Sequence, residues 1–360
     1  MRVLYDHQIF QMQKFGGISR YFVELMSRLP EDVEFNNKIT FSENVYLKNT
    51  DARFSKGIAL PQFRGRNRLT NPINKLRSTV AISRGRYDLF HPTYYNPYFL
   101  KRLKRPYVIT VYDMIHEKFS DMFPEDDPTK AYKKETIINA DKVIAISQNT
   151  KDDIINLYGL PENKIEVVYL GHSVNNKDVS EVENLPTDYI LYVGQRGGYK
   201  NFDRFLKAFA IIHSSFPEIK LVCTGTPFKK EENNLIESLG IKDDVTRYFV
   251  TDSQLTYLYQ HALCFVYPSL YEGFGIPILE AFAAECPLAL SDTSCFPEIA
   301  RNGGAYFNPY EVDSIVETLE KIISDEELRK AMVRQGNEVL ALYSWDKMAV
   351  ETAQIYKCFI

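Results

Sequence analysis

Short apolar runs bounded by turn residues alternate along the chain with stretches in which apolar residues recur at helical spacing. In the first half this pattern predicts strands at 2–5, 89–91, 107–112, 142–146 and 165–168, and helices at 18–28, 129–139 and 150–158. Gly159-Leu160-Pro161 carries the stop chemistry that ends the last of these helices. Residues 173–186 are polar and without an apolar period, and read as a linker. The alternation resumes with strands at 189–193, 220–224, 247–250, 263–267 and 288–291, and with helices at 202–213, 252–261, 278–284 and through 311–342. Strands that take turns with helices imply parallel sheets joined by crossover helices. The expected architecture is therefore α/β, with two Rossmann-like domains in tandem over 1–172 and 187–343. The terminal helix at about 344–360 is expected to pack back on the first domain.

Composition agrees with two cores. A chain of 360 residues with 45% apolar content exceeds what one core usually organises. No run of about eighteen apolar residues occurs, and the chain opens directly as a strand, Met1-Arg2-Val3-Leu4-Tyr5, so a cytoplasmic protein is expected. The cysteines Cys223, Cys264, Cys286, Cys295 and Cys358 are odd in number, irregular in spacing and mostly set in apolar stretches. That pattern fits buried thiols in a reducing compartment and disfavours disulfides or zinc.

Charge divides the chain more sharply than its net −4 suggests. Residues 1–170 hold 26 Lys/Arg against 20 Asp/Glu, a net of +6, while residues 171–360 hold 17 against 27, a net of −10. Residues 52–87 carry Arg53, Lys56, Arg64, Arg66, Arg68, Lys75, Arg77, Arg84 and Arg86 and no acid. Such a run can seat on anionic lipid head groups or phosphates, and reads equally as a solvated loop and helix face. Nucleic acid is not expected, because the overall charge is negative and no nucleic-acid motif is present.

In open parallel sheets ligands bind beyond the carboxyl ends of the strands, so chemistry is sought in the loops that leave them. After the first strand, Gly16-Gly17 stand directly before a helix, an arrangement suited to an anion and also an ordinary turn. After the strand at 189–193, Arg196 and Lys200 flank Gly197-Gly198 just before a helix, where cations meet an unfavourable dipole. A negative partner should offset them: either the two clamp a diphosphate, or both extend into solvent. After the strand at 263–267, Glu272 lies in a loop and Glu280 in the first turn of a helix that Pro277 can open. Each acid alone reads as a solvated or dipole-complementing carboxylate. Together with Gly273, Phe274, Gly275 and Ile276, whose N–H groups surround them, they suit the hydroxyls and phosphates of a sugar nucleotide.

Over essentially its whole length the chain resembles a family 4 retaining glycosyltransferase of the GT-B fold, in which two Rossmann-like domains with parallel sheets face a central cleft. The resemblance is to bacterial enzymes that extend O-antigen or capsule chains. It is carried by "FGGISRYFVEL", "ADKVIAISQNTKDDI", "NKIEVVYLG", "YVGQRGGYKN" and "YPSLYEGFGIPILEAFAAECPLALSD" followed by "CFPEIA". The resemblance implies that Glu280 accepts from the donor ribose and that Glu272 serves the transferred sugar. Arg196 and Lys200 would neutralise the departing diphosphate, so that neither a metal nor a cofactor is required. N–H groups from Phe274, Gly275 and Ile276 would touch sugar and phosphate, the base would rest near Phe249, Val250, Thr251 and Asp252, and Gly16 and Gly17 would keep the other side open.

The implied first domain binds the acceptor, a lipid-linked glycan, and the second the nucleotide sugar, GDP-mannose favoured over UDP-linked donors. The basic run would hold the protein peripherally at the inner face of the plasma membrane. One departure concerns a histidine common in the family after the fourth strand, where this chain has Tyr112. Asp113, His116 and, on the acceptor side, His91 and Tyr112 are the candidates for its role. Two other readings are a binding protein that has lost catalysis and a different GT-B enzyme such as a nucleotide-sugar epimerase.

Overall fold

Parallel strands, most of them with apolar buried centres, build both halves of the molecule. The structure, a computed structural model, describes residues 1–61, 63–174 and 179–360, so residue 62 of the basic run and residues 175–178 of the expected linker lie outside the described residues. The chain divides into two compact units, Met1–Gly171 with Ser344–Ile360, and His172–Tyr343.

In the first unit β1 (Arg2–Tyr5), α1 (Gly17–Arg28), β2 (Glu34–Asn37), α2 (Arg66–Arg84), β3 (Leu89–His91), β4 (Val108–Val111), α3 (Thr129–Asn139), β5 (Lys142–Ala145), α4 (Gln148–Tyr158) and β6 (Ile165–Val167) follow one another. Strand order is β2–β1–β3 and β4–β5–β6, every ladder is parallel, and a bridge between Phe90 and Tyr107 joins the two runs. Val3, Leu89, Val108 and Val143 are fully buried, as expected of strands covered on both faces.

The second unit contains β7 (Tyr189–Tyr192), α5 (Phe202–Ser215), β8 (Lys220–Cys223), α6 (Lys230–Ser238), β9 (Val245–Arg247), α7 (Asp252–His261), β10 (Cys264–Tyr267), α8 (Ile276–Ala283), β11 (Leu288–Ser291), β12 (Ala305–Phe307), α9 (Val312–Ser324) and α10 (Glu326–Leu340). Its sheet runs β12–β11–β10–β7–β8–β9, all parallel, so the chain reverses its direction of strand addition between β7 and β10. Phe202, Phe205 and Phe209 of α5 are buried against this sheet, at the helical spacing read from the sequence.

The chain then enters α11 (Trp345–Lys357), which packs on α1 of the first unit. Gly171 is required where these segments meet, because a Cβ there would stand 2.2 Å from the Trp345 nitrogen. Deeper in, Tyr356 bonds Tyr5 at 2.9 Å and His91 Nδ1 at 2.6 Å, so the end of the chain is tied to two strands of the first sheet.

Several expected elements shift. The strand expected at 247–250 lies instead at Val245–Arg247, and beyond it Phe249 projects outward, 89% exposed. The helix containing Glu280 begins at Ile276, after Gly275 in the left-handed region at φ 83°, so Glu280 falls in the second turn and the first holds no acid. β2, α2 and α6 were not anticipated; α2 is bounded by Gly65 and Gly85, both left-handed.

Candidate active site

Two loops meet where strand addition reverses. The loop leaving β7 carries Lys200, the loop leaving β10 carries Glu272, and Lys200 Nζ lies 2.6 Å from Glu272 Oε1. Their side chains are 19% and 11% exposed, so the pair is largely sheltered but still reached by solvent. Glu272 is fixed through its backbone: its N–H donates to Ser294 Oγ at 3.2 Å, and Ser294 Oγ–H donates to its carbonyl at 2.7 Å. Ser294 adopts φ 57°, a left-handed conformation unusual for a residue with a side chain, in the loop leaving β11. Asn201, also left-handed at φ 59°, ties three loops together by donating to the Pro268 and Pro309 carbonyls at 3.0 and 2.7 Å.

Arg196 departs from the clamp expected of it. Its side chain is buried, and Nε donates to Glu232 at 3.3 Å, Nη1 to the Thr224 carbonyl at 3.0 Å and Nη2 to the carbonyls of Thr226 and Pro227. The guanidinium also lies over the Phe228 ring, 4.7 Å from its centroid. Its fork is thus occupied by protein acceptors. Both cations receive the negative offset that their helix-terminal positions require, but from Glu232 and Glu272.

The N-terminus of α8 supplies the amide cluster. Gly275 is the residue before the helix because its φ of 83° excludes other side chains without strain, and an added Cβ would also press on Ile278 at 3.1 Å. Phe274 is buried against Tyr343, and Ile276 opens the helix. Glu280 is partly exposed on α8 beside the buried Tyr259, whose hydroxyl is held far above its ordinary pKa by burial and then by the Glu280 charge. Val250 precedes Thr251, which caps α7: its Oγ accepts from Gln254 N–H at 3.3 Å while its own N–H donates to Gln254 Oε1 at 3.1 Å.

In the first unit the loop leaving β4 gathers a charged cluster. Lys133, 1% exposed, donates to the Asp113 carbonyl at 3.0 Å, to Asp113 Oδ1 at 3.3 Å and to Glu117 Oε2 at 3.0 Å. Burial raises the Asp113 pKa, but Lys133 and the Ile115 N–H outweigh it and the carboxyl lies below its ordinary value. His116 stacks on Phe123 at 3.9 Å, and its Nε2 faces Asp127 at 3.6 Å. Its pKa is lowered by burial and then by Lys133, and its buried Nδ1 has no hydrogen-bond partner among the described residues.

Tyr112 is buried and turned toward Tyr21, with a hydroxyl that also lacks a partner among the described residues. His91 does not face an acceptor. It is fully buried, Nδ1 bonded to Tyr356 and Nε2 to Thr110 at 3.0 Å, and burial pushes its pKa down to about 3. The pair Gly16-Gly17 at the start of α1 is less open than expected, because Gln13 Oε1 already accepts the Ser19 N–H at 3.1 Å.

Ser294 and Lys133 were not anticipated. Ser294 lies in a loop at a strand's carboxyl end, the position at which open parallel sheets bind ligands; Lys133 lies inside a helix and carries no such signal.

Comparison with known proteins bears on both halves. Residues 15–175 match the family described as Glycosyltransferase Family 4, and residues 173–339 match Glycosyl transferases group 1. The chain is 27% identical over 370 residues to O-antigen chain mannosyltransferase B of Escherichia coli, covering 95% of this chain and 96% of that protein. It is 33% identical over 247 residues to O-antigen chain mannosyltransferase RfbU of Salmonella typhimurium, covering 68% of each. Among solved structures, Anabaena Alr3699/HepE in complex with UDP and glucose superposes with a TM-score of 0.76 at 15% identity, covering 99% of this chain and 100% of that one. WaaG, a glycosyltransferase involved in lipopolysaccharide biosynthesis, superposes at 0.72 with 17% identity over 99% of both chains.

Proposed function

This chain belongs to the group 1 and family 4 glycosyltransferases and has the GT-B fold, and from that premise we propose that it moves a hexose, mannose favoured, from a nucleotide-diphosphate sugar to a lipid-linked oligosaccharide or polysaccharide during cell-surface polysaccharide synthesis. The observation that carries the site assignment is the Lys200–Glu272 pair at the reversal point between β7 and β10, the crevice where doubly wound sheets bind nucleotides. The mannosyl choice rests on the two O-antigen relatives.

In this reading the donor diphosphate competes with Glu272 for Lys200. Lys200 and the N–H groups before α8 then stabilise the charge that grows on the departing diphosphate, which is where preorganised electrostatics lowers a barrier most. Glu272, released from the ion pair, accepts hydroxyls of the sugar, and Glu280 accepts the ribose hydroxyls. Arg196 is a positioning residue: by holding the carbonyls of 224–227 it fixes the wall behind the 195–201 loop. The base rests near Phe249 and Thr251.

The acceptor hydroxyl forms its bond to the anomeric carbon on the face from which the diphosphate leaves, so configuration is retained, and its proton passes to the departing phosphate oxygen. No bound metal is needed to carry that charge. The first unit binds the acceptor, with Asp113 held by Lys133 at the loop leaving β4.

A thermal-shift panel of GDP, UDP, dTDP and ADP, each with and without its common sugars, tests this, because a ligand that binds only the native state raises the melting temperature. A shift confined to GDP and GDP-mannose is expected. A shift with UDP compounds alone would reject mannose as the favoured sugar, and no shift with any would reject the donor site.

A further inference from the structure

Lys133 lies on the wrong face of its helix for a lysine. Lys130 and Lys134 of α3 are exposed, whereas Lys133 shares the buried seam of the helix with Thr136 and Ile137. An ammonium taken out of water is unfavourable unless the site supplies acceptors for its protons. Here the Asp113 carbonyl, Asp113 Oδ1 and Glu117 Oε2 all accept from it, and it stands over the Tyr95 ring, 5.5 Å from the centroid. An apolar side chain would fill the same space with no charge to desolvate, so the charge itself needs a reason.

The two carboxylates are not equivalent. Glu117 is 3% exposed and its other oxygen accepts the Tyr158 hydroxyl at 2.8 Å, so both of its oxygens are used within the protein. Asp113 is 27% exposed, and Lys133 and the Ile115 N–H both bond its Oδ1, which leaves Oδ2 without a hydrogen bond among the described residues. One ammonium therefore faces two carboxylates, and the surplus negative charge falls on the one that solvent reaches. His116 does not cancel it, because burial and then Lys133 lower its pKa and leave the ring largely neutral at pH 7.

The segment is gripped from a second side. The Tyr112 N–H donates to the buried Tyr95 hydroxyl at 3.1 Å, so the loop leaving β4 is held at once by the loop leaving β3 and by α3. Lys133 fixes the main chain of Asp113 through its carbonyl and the side chain through Oδ1, while the second carboxylate oxygen is not consumed.

We propose that Lys133 is a positioning residue for the sugar acceptor: it holds Asp113 by its backbone and by Oδ1, so that Oδ2 is kept for a hydroxyl of the incoming glycan. This rests on the reading above in which the first unit binds the acceptor through Asp113.

Steady-state transfer to a panel of octyl glycosides, using the donor that the nucleotide panel selects and varying each substrate in turn, tests this. Lys133→Met alone leaves Glu117 buried and unpaired, so it is combined with Glu117→Gln, which removes that charge and keeps the shape. This variant should raise the acceptor KM at least about tenfold, as the loss of a hydrogen bond to a charged group does, with kcat and the donor Kd unchanged. Asp113→Asn should raise the acceptor KM by a similar factor. Adding Asp113→Asn to the Lys133→Met, Glu117→Gln variant should raise it no further, because residues acting through one contact are not additive. Lys133→Gln, which keeps a donor without the charge, should also raise the acceptor KM, so the result does not depend on one variant folding. An unchanged acceptor KM in the Lys133 variants, or effects that multiply on combination with Asp113→Asn, would overturn the positioning role. An unchanged acceptor KM in Asp113→Asn, or no transfer by the wild type to any octyl glycoside, would reject the acceptor reading of Asp113 and this inference with it. The donor Kd is read separately, so either failure is distinguishable from failure of the nucleotide panel.

Discussion

Lys200 Nζ stands 2.6 Å from Glu272 Oε1, joining the loop after β7 to the loop after β10 at the reversal point of the second sheet. In the reading proposed above, this sheltered ion pair holds Lys200 in place before the donor arrives. Lys200→Ala should leave the fold intact and reduce kcat at least about a hundredfold with donor saturating, as the loss of one preorganised charge does. Steady-state kinetics beside a melting curve check it; near-normal kcat would remove Lys200 from the leaving-group role.

Arg196 gives the contrasting case. Removing it leaves the buried Glu232 without its charge partner, with only the Lys229 N–H remaining, and the buried Thr224 carbonyl without this donor. Arg196→Ala should therefore cost about 3 to 5 kcal/mol of stability, read by urea denaturation. Unchanged stability with lost turnover would return Arg196 to direct contact with the diphosphate.

Glu280 is assigned to the ribose, which predicts a binding defect. Glu280→Gln should weaken nucleotide affinity roughly ten- to a hundredfold, the range for a hydrogen bond to a charged acceptor. Isothermal titration with the nucleotide that shifts the wild type measures it; an unchanged Kd would move the ribose elsewhere.

If Lys200 and the α8 amides suffice for the leaving group, turnover should be the same in EDTA and in added magnesium. A loss of activity in EDTA that magnesium restores would show a metal in the reaction.

His91 sets a pH dependence of stability. Its native pKa of about 3 lies below its ordinary 6.5, because charging it inside the core is unfavourable. The unfolded chain therefore takes up a proton that the native state refuses, so this contribution is complete above pH 6.5 and is lost progressively down to about pH 3. His91→Gln should be less stable at neutral pH, since the Tyr356 and Thr110 bonds are disturbed, yet show a flatter decline below pH 6.5. Parallel curves for the two proteins would assign the acid sensitivity to other groups.

The α/β alternation and the parallel strands were legible from the amino-acid order alone, because a strand buried on both faces such as Cys264–Tyr267 is apolar at every position and an amphipathic helix such as α5 repeats its phenylalanines at helical spacing. That order also marked the start of α8, since Gly275 and Pro277 announce a helix after a buried strand.

It did not determine the partners of individual charges. Whether Arg196 points at a ligand or at the carbonyls of Thr224, Thr226 and Pro227 depends on two segments some thirty residues apart in sequence, and the bonds that fix His91 come from Thr110 and from Tyr356 at the far end of the chain. The helix at 66–84 was hidden for the same reason: its inward residues are Thr70, Asn74 and Ser78, so apolar periodicity points to the wrong face. Local periodicity reports how a segment divides between core and solvent. Hydrogen bonds between distant segments obey no such period, and only the tertiary structure decides them.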